Sequence, residues 1–81
     1  MAGRPPSPPL TALGLAVREH RAPATQDEIA MVLGITQATL ARLERGTHQP
    51  SYETAKKLAA WLGWTTDQVM EAAKAPAPAE S

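Results

Sequence analysis

The sequence predicts an all-α fold of five short helices, and three observations lead there. Leucine and alanine dominate the apolar residues, phenylalanine is absent and aromatics make up only 4% of the chain, a balance that favours helices over strands. The apolar side chains recur at helical spacing. These runs open after threonine or serine and, at Gly34 and Gly46, close on glycine, the residue types that cap helix starts and stops. Eighty-one residues without cysteine allow one small domain, its core plain hydrophobic packing with neither a disulfide nor an evident zinc site.

Taken in order, Met1 to Pro9 holds four prolines and almost nothing to bury, and is expected to be a disordered or polyproline-like arm. Arg4 is either a plain tail residue or a minor-groove probe. Leu10 to Val17 is apolar, but its proline-rich approach and the charged Arg18-Glu19-His20-Arg21 behind it do not suit an export signal. No run approaches the ~20 apolar residues that span a membrane. Residues 11–21 read instead as the first helix, with Leu10, Leu13, Gly14 and Val17 along one edge, followed by the link Ala22-Pro23-Ala24.

The stretch from Thr25 to Gly46 organises the chain. Thr25 and Glu28 have the spacing of a capping box and start a helix at 26–33, whose buried face is Ile29, Ala30 and Leu33 with Val32 flanking it. Gly34 stops that helix, Ile35 folds back on it, and Thr36 caps a third helix at 37–45 with Leu40 and Leu43 inward. Gln37, Ala38, Ala41, Arg42 and Arg45 share the opposite side. Glutamine can pair twice with an adenine edge, arginine twice with a guanine edge, and alanine can touch a thymine methyl while letting the helix approach closely. The same five residues are also compatible with an ordinary solvated helix face.

Thr47 to Ser51 is a loop, and Ser51 caps a fourth helix at 52–62 with Ala55, Leu58, Ala59 and Leu62 inward and Lys56 and Lys57 outward. Thr65 and Gln68 open a fifth helix at 66–73. Residues 75–81 are expected to be a disordered tail. Trp61 and Trp64 are the largest apolar surfaces; Trp64 is expected in the core, whereas Trp61 with Val69 and Met70 is a candidate dimer contact.

TQDEIA, LGIT and LERG resemble the most recurrent strings of the phage repressor and Cro-like (XRE-type) helix-turn-helix family, and the likeness runs from about residue 10 to 73. It implies a lambda-repressor-like fold of five helices with a domain at 10–74. It also implies that Gln37, Ala38, Ala41 and Arg42 read bases, while Thr25, Gln26, Thr36, Thr39, Arg45, Thr47, His48 and Tyr52 face phosphates. In such proteins a glutamine in the place of Gln26 bonds a phosphate and braces one in the place of Gln37. A first-helix arginine commonly pairs with a glutamate near the end of the reading helix; Arg18 and Glu44 are the nearest candidates, although the link before Thr25 is one residue longer than usual.

Eight basic and eight acidic side chains cancel, so the chain is no generic polycation. Charge placement matters more: Arg42, Arg45, Lys56 and Lys57 lie within or after the third helix, and Asp67, Glu71 and Glu80 near the far end. An enzyme is not expected, because no nucleophile with its base, no glycine-rich phosphate loop and no metal-ligand spacing is present; neither is a cofactor or a metal, since His20 and His48 are distant from each other. The expected function is a sequence-specific transcription regulator, a repressor, that binds a two-fold double-stranded DNA operator as a homodimer in the cytoplasm of a bacterium or from a phage. The alternative is an antitoxin or coactivator-like adaptor of the same fold whose main partner is a protein, such as a toxin.

Overall fold

The computed structural model describes residues 11–77, so the expectations for the arm with its Arg4, for Leu10 on the edge of the first helix, and for Glu80 lie outside the described residues. Five helices follow one another: α1 (Ala12–Arg21), α2 (Gln26–Leu33), α3 (Gln37–Arg45), α4 (Tyr52–Leu62) and α5 (Thr66–Lys74). Each begins on a hydroxyl residue in extended conformation, Thr11, Thr25, Thr36, Ser51 and Thr65, whose side chain accepts from the backbone N–H three residues on. Such a cap satisfies a donor that the first turn leaves without an intrahelical partner. Thr11, expected as the first helical residue, is itself the cap.

The turn between α2 and α3 sets the geometry of everything that follows. Gly34 sits at φ 73°, ψ 32°, a left-handed conformation that side chains with a Cβ adopt only at a cost. Ile35 N–H then reaches back to Ala30 C=O at 3.0 Å, the bond that closes a Schellman ending. Ile35 is thereby turned onto the core, and α3 departs from α2 after only Gly34, Ile35 and Thr36.

One hydrophobic cluster serves all five helices: Leu13 and Val17 from α1, Ala30 and Leu33 from α2, Leu40 and Leu43 from α3, Ala55, Leu58 and Ala59 from α4, Val69 and Ala73 from α5. Burying a side chain such as Leu40 contributes about 1.5–3 kcal/mol, which is substantial for a chain with no cysteine to cross-link it. Helix α1 packs on both α3 and α5, α2 on α3 and α4, and α4 on α5. Val69 is completely buried, so the expectation that it forms part of a dimer contact is corrected: it faces the core. Val32, placed beside the buried face, is instead 69% exposed, and Met31 next to it is 81% exposed.

The domain extends past its expected end. Ala12 N–H donates to Ala75 C=O at 2.9 Å, and Thr11 pairs with Pro76 in an antiparallel bridge. Ala75 and Pro76, expected in a disordered tail, therefore fasten the end of α5 to the start of α1. Their composition looks tail-like; the pairing arises because α1 and α5 pack together and bring a free N–H opposite a free C=O.

Gly14 marks the closest approach of two helices. A Cβ at this position would lie 2.4 Å from the backbone oxygen of Glu44, so α1 can press on the last turn of α3 only where a side chain is missing. Replacing Gly14 by alanine is expected to lower the unfolding free energy in urea by about 1–3 kcal/mol, even though alanine is the better helix former by about 1 kcal/mol. A variant as stable as the parent would mean that α1 can step back from α3 without loss.

The two capping boxes invite a second measurement. Thr25 donates to Glu28 from its backbone N–H and its hydroxyl, and both bonds hold the Glu28 carboxyl below its ordinary value of 4.5. Folding thus lowers the pKa, and the stability it contributes is complete above the unfolded value and lost as the pH falls through the folded one. Glu28→Gln keeps the box in the neutral form that Thr65 and Gln68 already use, and is expected to flatten the acid side of the thermal-stability profile below pH 4.5. An acid limb as steep as the parent's counts against this assignment.

Candidate nucleic-acid interface

Helix α3 divides cleanly. Leu40, Leu43 and Glu44 are buried, Gln37, Ala38, Arg42 and Arg45 are exposed, and Ala41 is half-buried. The edge turned to solvent therefore carries two arginines, one amide and two methyl groups, a set able to approach base edges closely and bond them.

Beneath this edge runs a continuous set of hydrogen bonds. Arg21, the last residue of α1, donates from Nε to Glu44 Oε2 at 2.6 Å and from Nη2 to Glu44 Oε1 at 3.0 Å. Its Nη1 donates to Ala24 C=O at 2.8 Å, so the guanidinium also ties down the link to α2. Gln26, the first residue of α2, donates from Nε2 to Glu44 Oε1 at 3.1 Å. Gln37, the first residue of α3, donates from Nε2 to Gln26 Oε1 at 2.6 Å. Three helices are joined in the order Arg21, Glu44, Gln26, Gln37.

The pairing of Arg18 with Glu44 is thus corrected to Arg21 with Glu44. Both arginines lie on the Gly14 side of α1, three residues apart and so on one face; Arg21, at the end of α1, is the one that reaches Glu44. Nor is Glu44 an exposed charge, for it is only 6% accessible. The brace between Gln26 and Gln37 is formed. Sequence reasoning missed that Gln26 also bonds Glu44, although the seven-residue spacing of Gln37 and Glu44, one stripe of a helix, was a usable signal.

The other expected site residues fall into two groups. Thr25, Thr36 and Thr39 spend their hydroxyls on local bonds, Thr25 with Glu28 and Thr36 with Thr39 at 2.8 Å. Thr47, His48 and Tyr52 are exposed beyond the end of α3, Thr47 donating to Arg42 C=O at 3.4 Å and Lys56 Nζ lying 5.6 Å from the centre of the Tyr52 ring. Trp61 and Trp64 are both half-buried, so Trp64 is not wholly internal, and Trp61 meets His20 edge to face at 4.6 Å. Trp61 and Met70 keep some exposed surface where Val69 does not. Among the described residues no group of three or more side chains is arranged to hold a metal ion, and no helix is long and apolar enough to cross a membrane.

The family model for the helix-turn-helix matches residues 17–68, most of the chain, and spans the relay, the turn at Gly34 and the whole of α3. The chain belongs to the XRE-type helix-turn-helix family. A protein of Methanothermobacter thermautotrophicus named as an uncharacterized HTH-type transcriptional regulator is 41% identical over 49 residues, which cover 58% of this chain and 71% of that protein. No solved structure matches the chain. Membership places this protein among DNA-binding regulators, and α3 occupies the second-helix position of its helix-turn-helix.

Removing Arg21 leaves a buried carboxylate with Gln26 as its remaining side-chain partner. Arg21→Ala is expected to cost about 3 kcal/mol of folding stability, whereas Arg18→Ala, whose side chain makes no ion pair among the described residues, is expected to cost under about 1 kcal/mol. Chemical denaturation of the two variants side by side checks the assignment; equal losses would return Arg18 to consideration.

Proposed function

We propose that this protein is a sequence-specific transcription regulator that lays α3 in the major groove of double-stranded DNA, with Gln37, Ala38, Ala41 and Arg42 at base edges. The observation that carries the reading is the exposed edge of α3, where Gln37 is held by Gln26 before any ligand arrives. An amide already oriented loses less freedom on binding than one that must be ordered. The name of the Methanothermobacter relative, a transcriptional regulator, agrees with this use of the edge.

The remaining polar side chains suit the phosphate rails. Arg45 and Thr47 follow the reading edge, and His48 and Tyr52 extend it along the loop and the first turn of α4. Gln26 retains one Nε2 hydrogen and its own backbone N–H at the start of α2, a position that attracts anions. With no excess of positive charge overall, affinity must come from these placed donors more than from a general field. A single α3 reaches only a few base pairs, so the protein acts as a homodimer on two half-sites about one helical turn apart. It represses where such a site overlaps a promoter, since occupancy alone then blocks transcription.

Selecting bound duplexes from a random pool is the direct test, with a two-fold symmetric consensus as the expected product. On that consensus Arg42→Ala is expected to cost roughly 1–3 kcal/mol at one base position and to relax choice there. Arg45→Ala should weaken binding to all sequences alike and make the dependence of log K on log salt shallower by about one. If the pool yields no preferred duplex, and Gln37→Ala and Arg42→Ala are without consequence for the protein, the chain is an adaptor that uses this fold for a protein partner.

A further inference from the structure

Gln37 and Glu44 lie on one stripe of α3, seven residues and about 10.5 Å apart along the axis, too far to touch. Gln26 spans the gap, donating to Glu44 Oε1 with its Nε2 and accepting from Gln37 Nε2 with its Oε1. The direction of this relay is not free. Both carboxylate oxygens of Glu44 already accept from Arg21, and a carboxylate has only lone pairs to offer a neighbour. The Gln26 amide must therefore turn its NH2 toward Glu44, which leaves its oxygen toward Gln37. Gln37 must in turn point an N–H inward. What remains on the outer edge of Gln37 is one acceptor, Oε1, beside one donor, the second hydrogen of Nε2, in a fixed order.

We propose that Glu44 is a specificity-determining positioning residue: acting through Gln26, its carboxylate decides which way round the Gln37 amide is held, and so makes Gln37 select adenine. The major-groove edge of adenine offers the N6 donor beside the N7 acceptor, the complement of that ordered pair, whereas guanine offers two acceptors. With the amide reversed, its oxygen would face the N7 acceptor and its NH2 the N6 donor, and both contacts would be lost. The inference rests on the reading of α3 as the helix that enters the groove. Glu44 itself is buried against α1, away from the exposed edge, and acts only through Gln26.

Three variants test it on duplexes that differ only at the base pair read by Gln37. The parent should prefer adenine over guanine there by roughly 5- to 150-fold, the range of a good two-bond contact. Glu44→Gln presents an NH2 as well as an oxygen and no longer dictates the direction, so the preference should fall by about tenfold or more, or vanish where it was smaller. The ratio at the position read by Arg42 should stay as it was. Gln26→Ala leaves the Arg21–Glu44 pair in place, removes the brace and should relax the same position. The double variant Glu44→Gln with Gln26→Glu restores an acceptor-only partner for Gln37, and should recover the adenine preference even if a new carboxylate near the phosphates weakens binding to every duplex.

Circular dichroism establishes which variants fold. A folded Glu44→Gln protein that binds more weakly but with the parent's base ratios overturns the proposal, and so does an unchanged ratio in Gln26→Ala, which decides the matter if Glu44→Gln does not fold. Gln37→Ala separates the two levels of argument. If it flattens one base position while Glu44→Gln does not, only the role of Glu44 is rejected; if it changes no ratio at all, the reading of α3 falls and this inference with it.

Discussion

A carboxylate buried in a small helical domain is the constraint on which the rest of this structure depends. Taking the charge of Glu44 out of water is costly unless it is paired and its lone pairs are satisfied. The fold meets that condition with a guanidinium that engages both oxygens and an amide that adds a third bond. These partners come from the end of α1 and the start of α2, so satisfying one residue of α3 sets the positions of two other helices. Such a pair contributes little net stability relative to an apolar replacement of the same shape. Its consequence is orientation: α3 is held at one angle and one depth.

The backbone of the same residue reinforces the point. Glu44 C=O lies against Gly14, seven residues before Arg21 and on the same stripe of α1. One edge of α1 therefore grips the last turn of α3 twice, by close packing at Gly14 and by hydrogen bonds at Arg21. Between the two contacts α1 has little room to slide, because a shift that relieved one would break the other. The exposed edge of α3 is held from behind by this grip and from its first turn by the bond between Gln26 and Gln37. A surface meant to recognise a pattern needs that support, since a side chain ordered only on contact gives up part of its binding energy to the ordering.

Balanced charge fits a protein that relies on placement. Basic side chains on the exposed part of α3 and on α4 are offset by acids elsewhere, among them Asp67 and Glu71 on α5, a helix that packs on α1 and α4. Non-specific attraction to phosphate is thereby kept modest, and in the proposed function discrimination falls to the few donors and acceptors that would reach base edges.

Much of this was legible in the chain itself because it is governed by short-range rules. Helix starts follow from hydroxyl residues that bond an N–H three positions on, helix stops from a glycine that accepts a positive φ, and the inward faces from apolar spacing; all three act within a few residues. The division of α3 into a buried and an exposed edge is of the same kind, and so is the family resemblance, which rests on those local strings. Which arginine meets Glu44 was decided elsewhere: Arg18 and Arg21 share a face of α1, and the choice depends on how α1 is seated against α3, across 23 residues of sequence. The burial of Val69, the exposure of Val32 and the pairing of Thr11 with Pro76 have the same origin. Local chemistry can say what each helix is; only the way the helices crowd one another decides which of several eligible side chains is left facing a partner and which is left facing water.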